Sequence, residues 1–260
     1  LIGTLNTVIF CPEDLQLIKG TPSGRRRFLD MEISQTSATY YHQLMQYNRL
    51  LQQRNAILKE YRGKQNIPLE EWDLQLADMA SFIVKKRLES LKKINLLIDL
   101  MNRKLTGGLE NLTIGYEQPY MDNGSLEYTK EGFYERIKAA LPQDRHRMTT
   151  SVGPHRDDLR FFSDAMDLKK FGSQGQQRTA VLSLKLSELE FIKSEVGEYP
   201  VLLLDDVLSE LDESRRANLL QFIHKRIQTF ITTTDIHDFK DLKSVQFISC
   251  EGGKVQYGQP

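Results

Sequence analysis

Val201-Leu202-Leu203-Leu204-Asp205-Asp206-Val207-Leu208-Ser209-Glu210-Leu211-Asp212 is the stretch on which the fold turns. Four apolar residues followed by two adjacent carboxylates read as a buried parallel strand that delivers acid groups at its C-terminal end, where open α/β sheets place their ligands. Upstream, Phe171 to Thr179 is a small polar loop containing Gly172 and Gly175, and it leads into a helical stripe of Leu182, Leu186, Leu189, Ile192 and Val196. Such a loop presents backbone N–H groups and the Ser173 hydroxyl at the positive end of a helix, a physical basis for binding an anion. Ser173 also fits the commoner role of an N-cap. Downstream, Thr229 to Asp235 reads as another buried strand ending in hydroxyls, and Val245 to Cys250 as one more.

Length and composition bound the rest. A chain of 260 residues is long enough for two lobes, since single cores rarely grow past about 250 residues. With 35 basic and 35 acidic side chains the formal charge is zero, so any contact with nucleic acid has to come from local patches. Cys11 and Cys250 are too few and too far apart for a disulfide framework or a metal cage and suit a reduced, cytoplasmic protein. No stretch is apolar enough to span a membrane. The chain opens at Leu1 without an initiator methionine, close to a strand over Thr7 to Phe10 that Cys11-Pro12-Glu13-Asp14 breaks, and is expected to be a piece of a longer protein.

Past the turn cluster Lys19 to Gly24, Arg25-Arg26-Arg27 opens a long helical region whose Leu44, Leu51 and Leu58 recur every seven residues and which Gly63 stops. A second helix follows Pro68. Its stripe runs through Trp72, Leu76, Met79 and Ile83, changes phase to Leu91, Ile94, Ile98, Met101 and Leu105, and ends at Gly107-Gly108. The pair predicts an antiparallel helical hairpin, an arm whose tip and base meet different neighbours. Lys85-Lys86-Arg87, Lys92-Lys93 and Arg103-Lys104 join the triple arginine as candidate phosphate contacts, against the plainer reading of a solvated helix face.

From Asn111 the period falls towards two, with strands expected at Leu112 to Tyr116 and Leu126 to Tyr128 and a helix from Phe133 that Pro142 ends. His155, Asp157 and Asp158 are too crowded on one turn for ordinary metal-ligand spacing, and a turn held by side-chain hydrogen bonds is the better reading.

A Gly-Ser-Gln loop, a helix, an apolar strand, paired acids, Ser209 to Asp212 and a further helix make an ordered series. Together with Phe10 to Leu15, Gly20 to Asp30 and Gly153 to Leu159, the series resembles the RecF family of SMC-like, ABC-type ATPases over nearly the whole chain. The resemblance implies an α/β fold: part of an ABC-type P-loop ATPase head with an inserted helical arm. Residues 1–24 and 146–260 would form the head, lobe I, and residues 25–145 the arm, lobe II. It implies ATP and Mg²⁺ as cofactors, with Asp205 as the Walker B metal ligand and Asp206 as the carboxylate that polarises the attacking water. Most ABC enzymes carry glutamate at that second position, and the shorter aspartate suggests slow hydrolysis suited to a switch.

Ser173, Gln174, Gly175 and Gln176 match the signature loop that caps the γ-phosphate of an opposing subunit, and Ser209, Glu210, Leu211 and Asp212 match the D-loop along the same interface. Glu13 stands where related ATPases have the Q-loop glutamine, and Thr234 where many have a switch histidine, with His237 close but off register. A Walker A sequence, Gly-x-x-x-x-Gly-Lys-[Ser/Thr], is absent from the 260 residues. An N-terminal segment is expected to carry it, and these residues alone to bind ATP feebly and hydrolyse none. The function implied is recombinational DNA repair. ATP would drive formation of a homodimer on DNA at single-strand gaps and duplex junctions, with Arg25, Arg26, Arg27, Lys85, Lys86 and Arg87 as candidate DNA contacts. RecR would then be recruited, and with it RecO, to load the recombinase. The alternatives are another SMC-like ATPase of chromosome maintenance, and a non-catalytic DNA-binding scaffold.

Overall fold

The computed structural model describes residues 4–64, 66–108, 110–120, 128–234, 239 and 245–258. The first strand, β1 (Thr7–Phe10), gives way at Cys11 to a 3₁₀ turn, Pro12–Leu15, and a short helix α1 (Gln16–Lys19). Pro22 sits in the first turn of α2 (Pro22–Thr36), where its fixed φ suits the helix and its missing N–H costs nothing. The long helical region expected here is two helices. Ser37 leaves the helical conformation at φ −145° and its hydroxyl accepts from Tyr40 N at 3.2 Å, capping α3 (Ala38–Glu60). After the turn at Gly63 comes α4 (Glu70–Thr106), 37 residues without a break, closed by Gly107 at φ 70°.

Next come β2 (Leu112–Glu117), α5 (Lys130–Ala139) and α6 (Leu141–Arg147). Pro142, expected to end a helix, instead lies in the first turn of α6, the position in which a helix tolerates it. The strand expected at Leu126 to Tyr128 falls largely outside the described residues, and Tyr128 itself belongs to none. β2 pairs antiparallel with β3 (Asp158–Ser163), which pairs with β4 (Met166–Asp167), so strands from before and after residue 145 share one sheet. Asp167 then caps α7 (Leu168–Phe171), which leads to α8 (Gln174–Val196).

The second sheet is parallel, in the order β1, β5 (Val201–Asp205), β6 (Thr229–Thr232), with α9 (Glu213–Ile223) as the crossover between the last two. Val8, Phe10, Leu202 and Leu204 fill its buried face. The other face is open: Ile9 is 52% and Phe230 54% exposed, and both pair with Leu203. The apolar run therefore buries alternate residues rather than all of them, and β6 is half exposed rather than buried. The strand expected at Val245 to Cys250 is one arm of an exposed antiparallel hairpin, β7 (Ile248–Glu251) with β8 (Lys254–Tyr257), turned by Gly252 and Gly253 at positive φ.

The core is organised on α4 and α8. α4 packs on α3, α5 and α8, in keeping with its change of phase, and α8 packs on α2, α4 and β1. Enclosed in this way, α8 is buried around almost its whole circumference, including Ser183, Lys185, Ser187 and Glu188, where the sequence stripe suggests a single buried face. Ser183 and Ser187 satisfy their hydroxyls on the carbonyls of Thr179 and Leu184, so burying them leaves no orphaned donor.

Gly153 is a fixed point of the turn between α6 and β3. At φ 131°, ψ 172° it occupies backbone space reserved for glycine, and an added Cβ would lie 2.3 Å from the buried Tyr47 hydroxyl. Gly153→Ala is expected to cost about 3 kcal/mol, read as a lower urea midpoint with an unchanged m-value.

Candidate nucleotide-binding site

The C-terminal edge of the parallel sheet gathers the acids. Because Phe10 pairs with Leu204 and Leu204 with Ile231, the turn bearing Glu13, the pair Asp205-Asp206, and Thr232 to Thr234 leave the sheet side by side. Asp205 Oδ1 accepts from the Thr232 hydroxyl at 2.7 Å, and the same oxygen of Thr232 accepts from Asp206 N at 3.0 Å. One hydroxyl thereby fixes both acidic residues. Asp206 is left-handed, φ 51° and ψ 22°, a conformation that costs a side-chain-bearing residue roughly 1–2 kcal/mol and that clusters at functional sites. Both carboxylates are exposed at the sheet edge.

Beyond them a 3₁₀ turn, Val207–Glu210, is anchored by buried Val207, Leu208 and Leu211, and the Ser209 hydroxyl donates to Asp206 O at 2.7 Å. Asp212 caps α9 by accepting from Arg215 N at 2.9 Å and pairs with its guanidinium at 2.6 Å. The described part of this segment is thus held by its own hydrogen bonds and presents Ser209 outward.

At the start of α8, Ser173 and Gln176 form a reciprocal capping box: Ser173 Oγ accepts from Gln176 N at 3.2 Å, and Gln176 Oε1 accepts from Ser173 N at 2.9 Å. Gln176 Nε2 donates in addition to Glu110 Oε1 at 3.0 Å, tying the loop to the end of the α4 region. Ser173 takes the N-cap role, and the cap leaves the N–H groups of Gln174 and Gly175 at the positive end of a 23-residue helix. The foot of the Val207–Leu211 turn and residues Arg178 and Val181 of α8 line one small cleft with Phe10 and Cys11, so the signature-like helix and the acidic edge are neighbours.

The donor set suits Mg²⁺. One carboxylate oriented by a hydroxyl, with a second carboxylate beside it, matches an ion that takes one or two protein oxygens and completes its shell elsewhere. Thr232 is the residue that sequence reasoning missed. Its signal was present in the run of hydroxyls at the end of β6, but only the strand register selects Thr232 as the partner of Asp205. Thr234 lies two residues beyond the strand, and His237 lies outside the described residues.

Two of the six candidate DNA contacts are corrected. Arg25 is 3% exposed and holds Asp158 in a bidentate pair at 2.7 and 2.8 Å. Arg87 is 2% exposed; it grips both oxygens of Asp30 at 3.0 Å and donates to Pro154 O at 2.7 Å. Charges already desolvated and paired inside the fold cannot track a phosphate backbone. Arg26 is half-buried against Asp157 O at 2.6 Å, Lys86 pairs loosely with Glu89 at 3.6 Å, and Arg27 and Lys85 are exposed. The turn at 153–158 is held by side-chain hydrogen bonds, as expected. His155 Nε2 donates to Thr150 O at 3.0 Å and Nδ1 accepts from the Tyr47 hydroxyl at 2.6 Å, while burial lowers its pKa to about 4 and keeps it neutral.

The fold is that of an α/β protein with helices inserted between β1 and β5 of its parallel sheet and paired acids at the sheet's C-terminal edge. No family model matches the chain. It is 50% identical over 245 residues to the DNA replication and repair protein RecF of Alkaliphilus oremlandii, covering 94% of this chain and 67% of that protein. Identity to RecF of Halalkalibacterium halodurans is 45% over 261 residues, 98% and 70% of the two chains. A solved structure of the recombination mediator protein RecF with ATP superposes with a TM-score of 0.89 at 36% identity, over 99% of this chain and 69% of that one. The chain belongs to the RecF family of DNA replication and repair proteins and spans about two thirds of the length of these relatives.

Proposed function

We propose that the protein is an ATP-driven dimerisation switch of recombinational DNA repair. The observation that carries the reading is the edge where Thr232 fixes Asp205 and a left-handed Asp206 together. Asp205 would hold Mg²⁺, and a bound Mg²⁺ would neutralise phosphate oxygens. Asp206, exposed and fixed through its backbone, polarises the attacking water. The loop Ser173 to Gln176 caps the γ-phosphate held by the opposite subunit, and Ser209 to Asp212 line that interface. Glu13 and Thr234 flank the site. Residues 25–145 act as the arm of the head. DNA at gaps and duplex junctions is held through backbone charge, with Arg27 and Lys85 the free contacts and Arg26 and Lys86 partial ones. RecR joins the DNA-bound dimer, and RecO through it. The 260 residues alone bind ATP feebly, because they lack a Walker A sequence.

The test is Asp206→Asn in the protein at the full length of its relatives. ATP hydrolysis is expected to fall about 100-fold while ATP-induced dimerisation, followed by light scattering, persists. A monomer that binds gapped DNA equally with and without ATP would favour the scaffold reading instead.

A further inference from the structure

A cleft of about 520 Å³ opens between α2, α3 and the turn at 154–156, away from the acidic sheet edge. Its volume lies within the roughly 300–1,000 Å³ of small-ligand sites. Arg26 and Arg27 stand on one wall, with Tyr41, Met31 and Leu44 also lining it. Its charge does not cancel. Arg87 and Asp30, which also line it, neutralise each other, whereas Arg26 spends one donor on a backbone carbonyl and Arg27 makes no ion pair among the described residues. The cleft thus sets Arg26 and Arg27 of α2, with Met31 51% exposed on the same helix, against Tyr41 and Leu44 of α3. Burial, with repulsion from Arg87, lowers the pKa of Arg26, and Asp157, Asp158 and Asp30 oppose the shift.

A ligand that meets both features has a phosphate at one end and a flat, weakly polar ring at the other. Guanidinium forks match phosphate oxygens, and a base of any identity can lie on a tyrosine ring. We propose that this cleft receives a single unpaired nucleotide of a DNA strand, its phosphate on Arg26 and Arg27 and its base against Tyr41. The proposal rests on the DNA-binding reading and adds a distinct place for the unpaired strand at a junction. An acidic peptide would satisfy the arginines but leave the tyrosine face without a partner.

The test uses the ATP-loaded protein and a gapped duplex carrying 5-iodouracil at the first unpaired position. Irradiation is expected to crosslink the base to Tyr41, and an unmodified gapped duplex to suppress the crosslink. Tyr41→Ala should weaken binding to gapped DNA about fivefold or more and leave blunt duplex unchanged. Arg27→Ala should weaken both. Tyr41→Leu, which keeps the packing, should behave as Tyr41→Ala does, while a matching melting temperature excludes misfolding. Crosslinks confined to other surfaces, or equal affinity of Tyr41→Leu and wild type for gapped DNA, would overturn the cleft assignment and leave the DNA-binding reading standing. Displacement of DNA from the arginines by a polyglutamate peptide, with no crosslink at Tyr41, would overturn it in favour of an acidic partner. Absence of binding to every DNA would overturn both readings.

Discussion

Arg87→Met is expected to lower the stability of the protein by about 3–5 kcal/mol, measured by urea unfolding, because it removes one partner of a buried ionic network. Arg87 reaches Asp30 on α2, the Tyr116 hydroxyl on β2 at 3.3 Å, Pro154 O, and Asp157 at 3.5 Å, all from the middle of α4. Methionine fills much of the volume but leaves Asp157 fully enclosed, with Oδ1 already lacking a partner in the native state. Asp157 would then take up a proton to stay buried, as its raised native pKa, driven by burial and opposed chiefly by Arg87, already foreshadows. Arg87→Lys should recover part of the loss through charge, and the rest should stay lost because an ammonium cannot bridge both oxygens of Asp30 while reaching Pro154 O. Removal of the exposed Arg27 should change stability by less than about 0.5 kcal/mol. Equal effects at the two positions would contradict the assignment of Arg87 to the interior.

Lys185→Met is expected to be of similar size at pH 8, and smaller at pH 5. Lys185 is 6% exposed on α8, with Nζ 3.3 Å from Asp14 Oδ1 and 3.4 Å from Glu188 Oε2, and Glu32 on α2 completes the group. One ammonium thus faces three carboxylates, and Glu32 Oε2 and Glu188 Oε1 are buried without partners. Burial, only partly offset by Lys185, raises the Glu32 pKa from an ordinary 4.5 to about 7 and places that of Glu188 well above normal. The folded state therefore keeps a proton on Glu32 that the unfolded chain releases. Stability contributed in this way is fully present below about pH 4.5 and is lost as pH rises towards about 7. Glu32→Gln should flatten the fall of stability across that window. A stability curve of the parent protein that rises between pH 5 and 7 would count against this reading unless other groups outweigh Glu32, and the Gln variant separates the two.

Much of the architecture was legible in the sequence because apolar runs and breakers act locally. The run Val201 to Leu204 announces a strand whatever its partners, and Gly107 closes α4 by its own left-handed φ. Helix-terminal chemistry was equally local, since Ser173 and Gln176 are three residues apart. Legibility failed where meaning depends on distant partners. Arg25 looks like a surface charge until Asp158, 133 residues away, closes on it. Lys185 and Glu188 dress α8 as an amphipathic helix, yet their charges face each other inside the protein. Thr232 was hidden among three consecutive threonines, and only strand register singled it out. The hairpin of β7 and β8 carried a readable turn in Gly252-Gly253 that alternation of side chains alone does not supply.

The unbroken α4 has a mechanical consequence. At 1.5 Å per residue its 37 residues form a rod about 55 Å long. One stretch of it packs against α8, whose N-terminus is closed by the Ser173–Gln176 capping box, while other stretches are gripped by α3 and α5. An α-helix without proline or an internal glycine bends little, because bending lengthens its hydrogen bonds. A tilt of about 10° imposed at one end would therefore sweep the other by roughly 10 Å, so that elements packed at the two ends of α4 would shift together.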